Sequence, residues 1–138
     1  MEAFAIKSAV IAGHSLFINA VGDIYVLVRN SATHPQVNAV LNELDLSADL
    51  KVVESLIIKE NSAIDHDDPL HISIEQVNEM VQKIKHELEE INKIIENHQN
   101  AWFANWRTPD CSVPLENIKS FKVTLDKRLT RYLQLRRG

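Results

Sequence analysis

Apolar and polar positions alternate along most of this chain with the period of an α-helix. The pattern is clearest from residue 74, where apolar or aromatic residues recur at alternating spacings of three and four. Those positions are Ile74, Val77, Val81, Ile84, Leu88, Ile91, Ile95, His98 and Trp102. This spacing is typical of a coiled-coil seam. Because Ser73 and Gln76 form a capping-box pattern at its start, we predict one long heptad-patterned helix over about 73–105.

The first segment, about Glu2–Val28, is apolar on nearly every side. A helix without a polar face must be covered on most sides, so we predict either the central helix of a bundle or one buried by a second subunit. The stretch IYVLV at 24–28 is rich in strand-forming residues, and a strand there is the main local alternative.

Two further segments also have apolar residues at helical spacing. The second follows Pro35, which suits a first helical position, and we predict a break near 45–47 with Ser47 as a new N-cap. The fourth runs from a cap at Ser112 to the end of the chain. Together these four segments predict an all-α protein, an antiparallel four-helix bundle formed as a single domain over residues 1–138.

Composition supports this fold class. The 138 residues are 45% hydrophobic and 25% charged, with only three glycines and four prolines, too few to punctuate a β-sandwich. The net charge of −4 is unevenly distributed, because residues 1–72 carry ten acids and four bases, whereas residues 113–138 carry two acids and seven bases.

A few features bear on the location of the protein. The single cysteine, Cys111, cannot form an intramolecular disulfide, which fits a reducing compartment. No signal-peptide pattern is visible. The longest uncharged apolar stretch, Ser8–Gly22, has 15 residues, fewer than the roughly 20 that a membrane span needs. We predict an intracellular, cytoplasmic protein without a transmembrane segment.

A cluster of metal-ligating residue types precedes the long helix. It comprises Asp65, His66, Asp67, Asp68 and His71, whose carboxylates and imidazoles could bind zinc or manganese. The spacing matches no calcium loop, and no helical turn brings the two histidines together. The plainer interpretation is a solvated loop whose acids lie near the positive end of the next helix. We therefore predict no metal and no cofactor.

Arg29-Asn30-Ser31-Ala32-Thr33-His34 is similar to the R-x4-H pattern of HEPN-type ribonucleases, small helical proteins that dimerise. The resemblance covers six residues. It implies that Arg29 and His34 would act on an RNA phosphodiester. Unlike the family pattern, this stretch falls in the first interhelical loop, and Pro35 follows it directly.

The C-terminal segment is basic. On a helical wheel the side opposite its apolar stripe carries Lys119, Lys127, Arg128, Arg131 and Arg137. Such a surface could bind nucleic acid or another anionic surface. Cations near a helix C-terminus are also favoured by the helix dipole, and the chain as a whole is acidic, so nucleic acid is not the favoured partner.

Aromatic residues cluster at the end of the long helix. Trp102 continues the apolar seam, whereas Phe103 and Trp106 cannot both lie on it. These three residues form either a plug for the end of the bundle or an exposed interface anchor, since tryptophan is enriched at interface hot spots.

From these patterns we predict a non-enzymatic protein–protein interaction or assembly protein that self-associates, or a small structural subunit of a larger complex. The first helix is too apolar for three neighbours to cover, and the heptad seam is long. There are two alternative predictions for the function. One is a HEPN-like ribonuclease using Arg29 and His34, and the other is a protein that binds nucleic acid or an anionic surface through the basic C-terminal helix.

Overall fold

The protein is described by a computed structural model that covers residues 2–59, 69–100 and 109–137, with side chains over 17–57, 69–99 and 109–137. Within these ranges the chain forms helices and contains no strand. The helices are α1 (Glu2–Ser31), α2 (Pro35–Leu44), α3 (Leu46–Lys59), α4 (Pro69–Asn100) and α5 (Ser112–Arg137). The prediction of an all-α protein is confirmed.

The first helix continues through residues 24–28, where a strand was the alternative. Ile24 is fully buried in the common core. Packing against the other helices decides the conformation here, because strand propensity is a weak and context-dependent preference.

The break in the second segment lies at Asp45, between α2 and α3, as predicted. His34 caps the start of α2, its Nδ1 accepting a hydrogen bond from the Val37 N–H, and Pro35 is the first helical residue. Asp45 has a left-handed backbone (φ 52°, ψ 41°), and its N–H donates to Asn42 O, so it ends α2. The next helix begins directly at Leu46, before the expected cap at Ser47.

The long helix begins at Pro69, not near residue 73, and is described to Asn100; the predicted stretch 101–105 lies outside the described residues. Proline is well suited to this position because its missing N–H needs no partner in the first turn. Ser73 consequently lies inside the helix, buried, and within the described ranges its hydroxyl has no hydrogen-bond partner. The capping-box prediction at Ser73 is therefore wrong.

Cross-helix contacts show how the helices are arranged. On α1 and α4, Asp23 pairs with Lys85 at 3.1 Å, and later along both helices Asn92 bonds Leu27 O and Ser31 Oγ, so the two helices are parallel. In contrast, α5 runs antiparallel to α4, because Arg128 bonds Gln76 O whereas the earlier residue Phe121 lies beside the later residue Lys83. Together α2 and α3 pack against α1 and α5.

The core is one continuous cluster to which all five helices contribute. The heptad positions from Val77 to Ile95 that were predicted from spacing are all buried. They are Val77, Val81, Ile84, Leu88, Ile91 and Ile95. The helical period of the sequence therefore correctly identifies the inner side of α4.

A polar contact joins α1 to α4 within this mainly apolar packing. The Asn92 side-chain amide donates to Ser31 Oγ at 2.9 Å, to Leu88 O at 3.0 Å and to Leu27 O at 3.3 Å. Because these acceptors lie on both helices, Asn92 favours one register of α1 against α4.

Candidate functional site

The outward side of α1 is apolar for a solvent-exposed surface. Over residues 17–30 its exposed positions are Ile18, Asn19, Gly22, Asp23, Val26, Arg29 and Asn30. Ile18 is 43% exposed and Val26 49% exposed, with Gly22 one helical turn from each. We call Ile18, Gly22 and Val26 the α1 outer face. Only two of the seven exposed positions are charged, whereas the exposed side of α4 is rich in Lys and Glu.

Gly22 lies in the middle of α1, where no neighbour among the described residues requires a glycine. A Cβ atom built at this position would meet nothing within 4 Å. Glycine inside a helix is less favourable than alanine by roughly 1 kcal/mol, because it loses more backbone entropy on folding. The sequence interpretation missed this residue, although a glycine inside an apolar helical segment is a recognisable signal of close approach by a neighbour.

The five basic residues predicted as an anion-binding surface on α5 fall into two groups. Lys119 pairs with Glu116 at 3.0 Å, and Arg128 donates to Gln76 O and pairs with Glu79 on α4. In the part of the chain that the structure describes, the other three have no carboxylate within ion-pair distance. Those three are Lys127, Arg131 and Arg137. The structure therefore divides the predicted surface into neutralised and unneutralised cations.

Two carboxylates share one lysine where α3 meets α5. Lys122 Nζ lies 2.9 Å from Asp49 Oδ2 on α3 and 2.9 Å from Asp126 Oδ2. Burial, with the adjacent Asp126 carboxyl group, raises the pKa of Asp49 from 3.8 to about 6. Burial also acts to raise the pKa of Asp126, but hydrogen bonds from Asp49 and Lys122 outweigh it and leave that pKa lowered. Burial beside Asp126 thus keeps the Asp49 carboxyl group protonated to a higher pH than an exposed aspartate.

The cluster predicts a pH dependence of stability. Because the pKa of Asp49 is higher in the folded chain than in the unfolded chain, its contribution is complete below about 3.8 and is lost as the pH rises through about 6. Asp49→Asn mimics the protonated side chain. We expect the variant to match the native protein near pH 3 and to exceed its free energy of unfolding at pH 7.5 by on the order of 1 kcal/mol.

Urea unfolding at both pH values measures this difference. Glu43→Gln, which removes one exposed carboxylate from α2, is the matched control for the change in net charge. Equal effects of the two variants at pH 7.5 would mean that the net charge, and not the cluster, is responsible.

The structure places Arg29 and His34 in different environments. Arg29 is exposed near the end of α1, whereas the His34 ring is buried. Its Nδ1 accepts a hydrogen bond from the Val37 N–H, and its Nε2 is buried with no hydrogen-bond partner among the described residues. A general acid or base must reach the proton it transfers. Neither ring nitrogen is open to a phosphodiester in this arrangement, so the geometry does not favour the ribonuclease.

Most of the predicted metal ligands and all three aromatic interface candidates lie outside the described residues. These positions are Asp65, His66, Asp67, Asp68, Trp102, Phe103 and Trp106. His71 lies in the first turn of α4 rather than in a loop, with its Nε2 3.0 Å from Glu75 Oε1. Among residues that the structure describes, no group of three His, Cys, Asp or Glu side chains is placed to hold a metal ion.

A small cavity lies where α1, α3, α4 and α5 meet. Its lining consists of Phe17, Val53, Leu56, Ile57, Ile74, Val77 and Tyr132. This lining is apolar apart from the Tyr132 hydroxyl, which accepts a hydrogen bond from Arg136. The cavity is therefore a gap in apolar packing and not a site with reactive groups.

No protein-family model matches this chain, and comparison with curated proteins and with solved structures likewise gives no match. Among the helices described here, none combines the length and the hydropathy that crossing a bilayer requires. The function is accordingly inferred from the surfaces of the molecule itself.

Proposed function

We propose that this chain is a non-enzymatic protein-interaction and assembly protein that binds a second copy of itself through the α1 outer face. The helices are proposed to form a four-helix bundle in which α2 and α3 together make one broken helix. The observation that carries the proposal is the combination of Ile18 and Val26, both nearly half exposed, with Gly22 between them.

Gly22 supports close approach by another helix. Open space surrounds it, so no neighbour in the described part of the chain requires a glycine there. Glycine destabilises a helix by roughly 1 kcal/mol relative to alanine. This cost can be offset when the backbone of a second helix packs closely against the glycine, because no side chain keeps the two backbones apart. An external helix therefore accounts for a residue that internal packing does not explain.

The α1 outer face is also complementary to itself. If two copies of α1 cross antiparallel at Gly22, Ile18 of each copy lies beside Val26 of the other. This arrangement has the two-fold symmetry that most homodimers show. With 30 residues, α1 is about 45 Å long, enough to contribute to an interface of ordinary size.

Gly22→Ala is expected to have opposite effects on association and on folding. The added methyl group separates the two helices, so the population of dimer should fall. The same methyl group favours the helix, so the monomer should gain up to about 1 kcal/mol in its free energy of unfolding. Light scattering coupled to size-exclusion chromatography measures the mass, and urea unfolding of dilute protein measures the stability.

The matched control is Ser55→Ala, which raises helix propensity at an exposed position on α3 without touching α1. It should leave the mass unchanged, while Val26→Glu should yield monomer. A native protein that is monomeric at about 100 µM, where contacts of even moderate affinity are populated, contradicts the proposal. So does a Gly22→Ala variant that associates like the native protein. Cleavage of unstructured RNA that an Arg29→Ala/His34→Ala variant loses would instead favour the ribonuclease.

A further inference from the structure

A row of four exposed residues on α5 repeats once per helical turn. It consists of Val123, Lys127, Arg131 and Leu135, which we call the α5 row. Val123 is 55% exposed and Leu135 41% exposed, and both basic residues between them are exposed. The row spans twelve residues, about 18 Å, with two cations flanked by two aliphatic side chains.

Neighbouring cations on α5 have carboxylate partners, whereas the two in the row do not. Lys119 pairs with Glu116, and Lys122 pairs with Asp49 and Asp126. Among the described residues Lys127 has no carboxylate within ion-pair distance. Arg131 donates only a long, 3.4 Å hydrogen bond to the neutral Gln76 amide. Two positive charges in the row are therefore not neutralised by any carboxylate among residues that the structure describes.

The helix dipole does not account for these two charges. Its effect falls off within the last turn of a helix, and α5 ends at Arg137. Lys127 and Arg131 lie ten and six residues before that end, so they gain little from it. The basic residues that the dipole does favour are Arg136 and Arg137, in the last turn.

We propose that the α5 row binds an acidic amphipathic helix of a partner protein. The two cations pair with carboxylates one turn apart on the partner helix, and Val123 and Leu135 pack against its flanking aliphatic residues. Helices recognise each other through side chains repeated at this spacing. The inference is independent of self-association because it uses α5 and leaves the α1 outer face free.

Charge and chemistry favour a protein segment over a nucleic acid. The chain has a net charge of −4, and α4, which packs against α5, exposes Glu75. This negative charge repels a dense polyanion more strongly than a helix that brings two carboxylates, since charges at a protein surface act over about 10 Å at ordinary salt. Val123 and Leu135 would contribute nothing to phosphate binding, whereas they suit the apolar side of a helix.

The experiment uses a fluorescein-labelled helical peptide of about 18 residues with the row Leu-x3-Glu-x3-Glu-x3-Leu, which fits the α5 row in either direction. Fluorescence anisotropy at about 50 mM salt measures its affinity for the full chain. Lys127→Gln/Arg131→Gln should weaken binding by about tenfold or more. Val123→Ser/Leu135→Ser should weaken it to a similar degree.

Lys51→Gln/Lys93→Gln is the control, because it removes two exposed lysines from α3 and α4 and changes the net charge equally. It should change the affinity by less than about threefold. The proposal is overturned if the peptide shows no saturable binding, or if the control variant loses as much affinity for the peptide as the Lys127→Gln/Arg131→Gln variant. It is also overturned if a single-stranded RNA of similar length binds more tightly than the peptide and its affinity is unchanged by Val123→Ser/Leu135→Ser. Failure of self-association leaves this experiment unaffected.

Discussion

Replacing Ile84 with alanine is expected to lower the free energy of unfolding by about 3 kcal/mol. Ile84 is fully buried at a central heptad position of α4, the helix with the most extensive contacts to both α1 and α5. The truncation removes three carbon atoms from a close-packed interior and leaves a cavity that neighbouring helices can only partly close. Urea unfolding at a fixed protein concentration should show a lower midpoint with an unchanged slope.

Ile72→Ala is the matched control for this change. Ile72 lies on the same helix but is 46% exposed, so the same truncation should cost less than about 1 kcal/mol. If the two variants lose similar stability, Ile84 does not occupy a tightly packed core.

Asn92→Asp is expected to lower the free energy of unfolding by about 2–3 kcal/mol at neutral pH. The native amide donates to Leu27 O, Leu88 O and Ser31 Oγ. A carboxylate can only accept hydrogen bonds, so its charge would face two carbonyl oxygens, and the Ser31 hydroxyl could donate to it only by giving up its bond to Leu27 O. Near pH 4 the free energy of unfolding of the variant should lie closer to that of the native protein, because a protonated carboxyl group has one O–H donor.

Asn97→Asp provides the comparison, since Asn97 is exposed on the same helix and the substitution adds the same charge. It should change the free energy of unfolding by no more than about 0.5 kcal/mol at neutral pH. Measuring both variants by urea unfolding at pH 7 and pH 4 separates the buried contact from the effect of net charge. A loss in Asn92→Asp that matches the control would show that Asn92 does not link α1 to α4.

The seam of α4 could be predicted from sequence because helical periodicity is a local property. Residues spaced three and four apart lie on one side of any helix, so Val77 to Ile95 were correctly predicted to be buried before any partner was known. The start of the helix, in contrast, was predicted too late along the chain. Ser73 and Pro69 are both acceptable near a helix start, and the helix begins at the earlier one.

The charge of the candidate surfaces depends on contacts between different helices, which a helical wheel of one helix does not show. The wheel placed Lys119, Arg128 and Arg131 together, yet Glu79 from α4 neutralises Arg128 while Arg131 meets only a neutral amide. For the same reason the Asp49–Lys122–Asp126 cluster was not predicted, since Asp49 is more than 70 residues from Lys122 and Asp126 along the chain and meets them only when α3 packs against α5.

The sequence by itself determined that this chain is helical, where its second helical segment breaks, and which residues of α4 face inward. Each follows from backbone preferences and apolar spacing within one segment. Only the tertiary structure decided that α1 and α4 are parallel, that His34 is buried as a cap, and that Lys127 and Arg131 have no carboxylate partner in the described ranges. These properties depend on side chains from distant segments, which come within hydrogen-bond or ion-pair distance only after the helices pack.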